Sequence, residues 1–231
     1  MSTFSQATLR CRCGVEYVVD VADSVRAAAR ADLRAQILDG TFHRFACPQC
    51  GAVAQVDKLF AYTDFPRRQW FTVVPAASLA RRSEWLALAE RSFQAVFVER
   101  AAPVVTAWAP QFTRRVVFGL ASLREKLLGF DAGLDDRRVE QLKVALVEAG
   151  RLIYVADGYC HLVAVTADKL VFEWAAPGDA GTSRAVVARS EYDALAGGGR
   201  DDVPAATPLF TTPVVDMRAL YVPELAGSGE S

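Results

Sequence analysis

The stretch "FACPQCG", Phe45 to Gly51, sets two cysteines around Pro-Gln and follows them with a glycine. A second stretch, "RCRCG", Arg10 to Gly14, has the same Cys-then-Gly ending. Together they give two pairs, Cys11 with Cys13 and Cys47 with Cys50, about 33 residues apart. Zinc takes four soft or borderline ligands in a tetrahedron, and four cysteines have that stoichiometry. Two ligands from each of two tight turns let the chain fold back and converge on one ion. Gly14 and Gly51 suit such turns because glycine alone adopts positive φ without steric cost, and Pro48 pre-sets φ at the start of the second. We therefore expect Zn2+ held by Cys11, Cys13, Cys47 and Cys50. The site would be structural, because the protein supplies all four ligands and leaves no open position for water or substrate.

Two other readings stand beside zinc. Cys47-Pro-Gln-Cys50 has the spacing of a redox dithiol, which wants its CxxC at a helix N-terminus to lower the thiol pKa. Here a β-like, Ala/Val-rich run follows, and a second cysteine pair is on offer. The four cysteines could also be inert core thiols, which their paired spacing and trailing glycines argue against. His43, four residues before Cys47, is a substitute ligand; with four cysteines already completing the tetrahedron, it reads as a partly exposed strand histidine.

The bulk of the chain sets wider bounds. Its 231 residues allow one large domain or two small ones, and 52% hydrophobic content supports a real core. Lys+Arg at 26 against Asp+Glu at 27 gives a net charge of −1, without the basic excess of a general nucleic-acid binder. No apolar run reaches the ~18 residues needed to span a bilayer, and "MSTFSQATLR" lacks the charged and apolar regions of a signal peptide. The expected compartment is the cytoplasm. Disulfides are rare there, and clustered cysteines are metal-binding or redox-active.

Around the cysteines, "ATLRCRCGVEYVVDV" reads as two short strands and a turn, with Val15, Tyr17 and Val19 alternating with Glu16, Val18 and Asp20. Val25, Ala29, Leu33 and Ile37 repeat every four residues and predict a helix from Ala22 to Leu38, ended by Gly40. "TFHRFAC" and "GAVAQVDKLFAYTD" read as strands flanking the second cysteine turn, and "PRRQWFTVVP" as a further strand. A helix from about Ser78 to Arg100 would carry Leu86, Ala89, Phe93, Val96 and Phe97 on one face. Ser122-Leu-Arg-Glu125 has a capping-box pattern within Leu120–Leu128, and Val139, Leu142, Leu146 and Ala149 mark another helix. Then come strands in "RLIYVAD", "CHLVAVTAD" and "KLVFEWA", with a turn at Asp157-Gly158. A second capping box, Ser190 to Asp193, starts a short helix. Beyond the linker "AGGGRDDVPAATP", the apolar stretch "LFTTPVVDMRALYVPEL" should not stay in water, because exposing it forfeits about 25 cal/mol per Å²; the expectation is that it folds back onto the second unit's sheet, the alternative that it docks on another chain.

"CRCG…ILDGTFHRFACPQCG", Cys11 to Gly51, resembles the N-terminal CpXC domain of bacterial and archaeal proteins, a family named for its cysteine pairs. "RRVVFGLASLREKLLGFDAGLDD", Arg114 to Asp136, resembles the segment that follows in longer members. The likeness covers the first half to two-thirds of the chain. It implies a zinc-ribbon-like site and no particular catalytic activity. The first pair is Cys-Arg-Cys, so Cys11 and Cys13 must chelate from a tighter turn than a standard knuckle.

The expected fold class is therefore α+β. A zinc-ribbon-like β unit with an inserted helix covers residues 1–75, and an α+β domain of helices then strands covers 76–196. A flexible linker and apolar C-terminal segment take 197–231. Cys160-His161 is the other Cys/His neighbour pair, but adjacent strand residues point to opposite faces, so Cys160 reads as a core thiol. The pairs Arg67-Arg68, Arg81-Arg82, Arg114-Arg115 and Arg137-Arg138 read as solvated faces balanced by nearby acids. Trp70, Trp85, Trp108 and Trp174 sit on apolar-patterned segments, and at least three of them read as core. No Walker loop, GxGxxG, HExxH or Ser/His/Asp order is present. The expected function is a non-enzymatic interaction or regulatory module whose partner is another protein. The alternatives are an enzyme with its site in the second unit and a nucleic-acid-associated ribbon.

Overall fold

A computed structural model describes residues 1–153, 158–175, 182–197 and 212–225 of the chain. The fold is mixed α+β and divides into two compact units. The first comprises Met1–Ser78 and Ser83–Leu120, the second Leu79–Arg82 and Ala121–Ser231.

The first unit is built on a five-stranded sheet. Its strands are β1 (Thr3–Arg10), β2 (Glu16–Arg26), β5 (Phe60–Asp64), β6 (Gln69–Val74) and β7 (Thr113–Phe118), side by side in that order. β1/β2 and β5/β6 are antiparallel hairpins, whereas β2/β5 and β6/β7 are parallel. Parallel neighbours need long crossovers. The first crossover carries α1 (Ala31–Asp39) and the small hairpin β3 (Arg44–Ala46)/β4 (Val53–Gln55). The second carries α2 (Arg82–Gln94), a π-helical turn at Ala95–Glu99 and α3 (Pro103–Trp108). The pairing of β7 with β6 is why Ser83–Leu120 belongs to the first unit, a division different from the boundary at residue 75 read from the sequence.

Two helices differ from their sequence patterns. The predicted helix from Ala22 is strand as far as Arg26, because Val21, Ala22 and Val25 are fully buried and Ser24–Arg26 pair with β5. Only Leu33 and Ile37 of the four-residue repeat lie on α1. Gly40 ends that helix in the left-handed conformation (φ 80°). Of the stripe read for a helix from Ser78 to Arg100, Phe93 of α2 and Phe97 of the π-helical turn are buried and pack with Trp70, Ala109 and Phe112, while Val96 is exposed.

The second unit sets α4 (Leu120–Asp131) and α5 (Asp136–Glu148) with a three-stranded antiparallel sheet. The sheet runs β10 (Ser183–Ala188), β9 (Lys169–Ala175), β8 (Tyr159–Val165), and α6 (Arg189–Gly197) follows it. Val139, Leu142 and Leu146 of α5 join Leu162, Leu170, Phe172, Val187 and Tyr192 in one core; Ala149 is exposed. β10 carries no clear alternation and was not legible in the sequence. Tyr154–Asp157, the linker from Gly198 onward, and Leu209 and Phe210 lie outside the described residues.

Neither capping box forms as read. Ser122 lies inside α4, and Glu125 is buried, accepting from Lys143 and from the Leu162 amide. At α6 the contact sits two residues earlier, where Glu191 reaches back to the Ala188 amide. The C-terminal segment does fold back. Val214, Val215 and Met217 are 1% exposed, and the Met217 amide donates to Glu140 of α5 at 3.0 Å. Arg82 further donates to the Val222 carbonyl. The hydrogen bonds described for it thus go to α5, to Ser122 of α4, and to Ala80 and Arg82, not to the sheet the sequence suggested.

Candidate metal centre

The site forms where the β1–β2 turn meets the β3–β4 turn. In the first, the Cys11 amide donates to Val15 and the Gly14 amide returns to Cys11; in the second, Cys47 donates to Ala52 and Gly51 returns to Cys47. The two turns share this pattern although the first has one residue fewer between its cysteines. Gly14 and Gly51 both have positive φ, 93° and 70°, which is the reason glycine stands at these corners. The turns bring Cys11 Sγ to 3.5 Å from Cys50 Sγ and Cys13 Sγ to 3.7 Å from Cys47 Sγ. All four sulfurs lie within 4.8 Å of one another.

This spacing fits a metal tetrahedron. Zn–S bonds of about 2.3 Å place the sulfurs of a tetrahedron about 3.8 Å apart. The protonation pattern points the same way. Cys47 is pulled down to about 6 by the backbone N–H groups of Cys50 and Gln49. Cys11 receives a lowering backbone N–H from Cys13 but is pushed up to about 12 by burial and its thiol neighbours. Four thiols this close cannot all ionise by themselves, and a divalent cation at their centre is what permits it. Bound there, the ion would supply a cross-link between the turns. The hydroxyl of Tyr17 lies near the same sulfurs and is held above its usual range by burial and by the cysteines' charges. Cys47-Pro-Gln-Cys50 runs into β4, not into a helix.

His43 is outside the cluster and is not the partly exposed strand residue its sequence suggested. It is 6% exposed, has φ 57°, and stacks on Phe42 with ring centroids 4.0 Å apart. Its Nε2 accepts the Ala22 amide at 2.9 Å, so the ring is neutral. Burial lowers its pKa from 6.5 to about 4. The unfolded chain takes up this proton first as pH falls, so the stability is whole above about 6.5 and is lost on the way to about 4. The full shift corresponds to about 3 kcal/mol. We expect His43→Gln, whose Oε1 can still accept from Ala22, to flatten this slope. Urea midpoints at neutral and acid pH test it; parallel pH profiles for the two proteins would show that His43 is not the group responsible.

Other candidate groups fall into structural roles. Cys160 is 4% exposed within the second unit's core, and burial pushes its thiol up to about 12. Trp70 is core, and Trp108 and Trp174 pack against the two hydrophobic clusters. Arg67 pairs with Asp64, Arg82 with Glu224 and Arg114 with Glu90, while Arg68 lies over Trp108 and Arg138 over Tyr192.

The sequence reading missed a buried charge cluster in the second unit. Lys143 donates to Glu125 at 2.6 Å and to Glu140 at 3.0 Å; Lys126 donates to Glu140 at 3.0 Å and lies 3.5 Å from Asp136. Glu125, Lys126, Glu140 and Lys143 are each at most 4% exposed. A signal existed, since Lys143 stands four residues after Val139 and three before Leu146, on the apolar face. Glu125 is pushed up by burial, but the Lys143 ammonium and His161 outweigh this and hold it well below the usual carboxylate range.

No helix among the described residues is long and apolar enough to cross a membrane. No curated protein and no solved structure matches the chain. The family model for the CpXC protein matches residues 9–143, which take in both cysteine turns, the five-stranded sheet apart from most of β1, and α4 with the first part of α5, and the chain belongs to the CpXC family.

Proposed function

We propose that this chain is a zinc protein of the cytoplasm that acts as a non-enzymatic interaction module, with another protein as its partner. The observation that carries the reading is the closed set of Cys11, Cys13, Cys47 and Cys50, whose sulfurs lie within 4.8 Å of one another. Such a set holds a metal without leaving it a coordination position for chemistry. Further support comes from the second unit, whose charged cluster is internally paired and buried. The net charge of −1 and the engagement of arginines by carboxylates and rings speak against a nucleic-acid role.

The first test is elemental analysis with an absorption spectrum. The expected result is about one zinc per chain and no visible colour, because tetrahedral thiolate sites take zinc or iron and only iron absorbs there. A coloured, iron-loaded protein would overturn zinc, and a metal-free preparation whose melting ignores chelator would overturn the centre altogether. The second test is co-purification from the native cell with mass spectrometry. Turnover of a disulfide substrate at thioredoxin-like rates would replace the module reading with a redox one.

A further inference from the structure

We propose that the outer edge of β1 pairs antiparallel with the same edge of a second copy of this chain, joining two five-stranded sheets across a two-fold axis at Ala7. β1 ends its sheet and has β2 as its one neighbour there. Its register with β2 is unbroken over residues 4–10. The Ala22 amide goes to His43, away from β1, and Phe4 stands opposite Ala22. Opposed residues of an antiparallel pair turn their polar groups both toward or both away from each other, so those of Phe4 face the outer edge. Alternation sends the groups of Gln6, Thr8 and Arg10 outward as well, and the inward Cys11 amide, bonded to Val15, agrees. Among the described residues no hydrogen bond reaches these outward amides and carbonyls.

Sheet edges are ordinarily guarded by charge, proline, shortness or a cover. β1 has none of these: it runs for 8 residues, residues 3–9 hold neither a charge nor a proline, and Phe4 is 42% exposed. At the other end of the sheet, β7 carries Arg114 and Arg115 and is buried over its last four residues. Pairing through β1 therefore closes at two copies instead of running on as a filament. The strand is its own complement. A two-fold axis perpendicular to the sheet sets residues of like parity opposite each other. With the axis at Ala7, Gln6 meets Thr8 and Phe4 meets Arg10 of the second copy, so every outward group of these residues finds a partner. An axis at Gln6 would instead set Arg10 against Ser2, which lies outside the strand and whose hydroxyl already accepts the Arg26 amide. Neutral side chains at the centre let the two copies meet without opposed charges. Arg10, the one charged residue of β1, comes beside the Phe4 ring, over which the carboxylate-paired Arg30 already lies, and stays roughly 20 Å from its own counterpart. A foreign acidic or basic strand finds no charge along residues 3–9 to select it. The two cysteine turns come to opposite ends of the joined sheet, roughly 27 Å apart along the strands.

The test uses the full chain as purified, with any affinity tag at the C-terminus, in sedimentation velocity from about 1 to 200 µM. An interface made by one strand edge is small, so the expected dimer is concentration-dependent within that range. Thr8→Pro should weaken it about tenfold or more, because proline removes an outward N–H from both copies and spares the ladder with β2. Melting and metal content report whether Thr8→Pro still folds. Engineered cysteines give a second measurement. Ala7→Cys meets itself across the axis with about 4.5 Å between Cα atoms, within disulfide reach. Leu9→Cys lies roughly 14 Å from its counterpart and should stay unlinked. Mild oxidation should therefore link two chains through position 7 and not through position 9, read from the mass of the linked peptides. A chain that stays monomeric throughout, a dimer indifferent to a folded Thr8→Pro, or linkage of Leu9→Cys as fast as Ala7→Cys each overturns the pairing.

Discussion

Cys47→Ser is expected to empty the metal centre and unfold the part of the first unit that depends on it, leaving the rest of the sheet standing. On the zinc reading proposed above, bound metal should fall from about one per chain to a small fraction, because serine offers no thiolate at neutral pH. In small zinc domains the metal supplies roughly 10–16 kcal/mol of apparent binding free energy, which is folding free energy. Here its reach is local. β3 and β4 have three residues each, and both show at most half-buried positions. A hairpin of that size is marginal without support. By contrast, all six residues of β6 are buried, with Phe71, Val73 and Val74 fully so, as is Tyr62 of β5. Hydrogen exchange by mass spectrometry should therefore show lost protection over the two cysteine turns, β3 and β4, with β5–β7 protected as before. Stoichiometric zinc with unchanged protection in Cys47→Ser would remove Cys47 from the ligand set. Loss of protection across β5–β7 would mean that the metal holds the whole unit, against the burial argument.

The cysteine turns were legible because their logic is local: ligand spacing, a corner glycine and flanking alternation all lie within a few residues. The α+β class followed from the same short-range patterns. What the sequence did not disclose depends on distant pairing. Val25 fits a helical repeat with Ala29, Leu33 and Ile37, yet it is strand because β5, more than thirty residues on, takes up the backbone of Ser24–Arg26. Likewise β7 joins the first unit only because β6 lies beside it in parallel. Glu125 satisfies a capping-box pattern by spacing, but Lys143 and the Leu162 amide decide its role, and both come from other elements. The sequence set the C-terminal apolar stretch against a sheet, since its residues are apolar. Its docking amide instead finds a carboxylate, Glu140, which on sequence is one more charge on a helix.

That buried cluster should make Lys143 among the most sensitive positions of the second unit. Lys143 is 2% exposed and serves both Glu125 and Glu140. Lys143→Met keeps the stem's apolar bulk and removes the ammonium. Glu125 then keeps the Leu162 amide and loses its main cation, in a place where water cannot replace it. Removing one partner of a buried pair costs about 3–5 kcal/mol, chiefly because the other charge stays behind uncompensated. The double variant Lys143→Met with Glu125→Gln removes both charges and keeps an acceptor for Leu162. It should recover a large part of the loss, because a neutral pair avoids the desolvation penalty. The pH dependence carries the sign. In the natural protein Glu125 is held below its ordinary value, so its stabilisation is present above about pH 4.5 and is lost as pH falls through the depressed value. In Lys143→Met the largest lowering influence on Glu125 is gone, with His161 and Lys126 left, and the two proteins should draw closer in stability on acidification. Urea unfolding of the two single variants and the double, at neutral and acid pH, gives the coupling directly. Strict additivity would mean that Lys143 and Glu125 do not act as a pair, and a single variant as stable as the natural protein would show that water reaches the cluster after all.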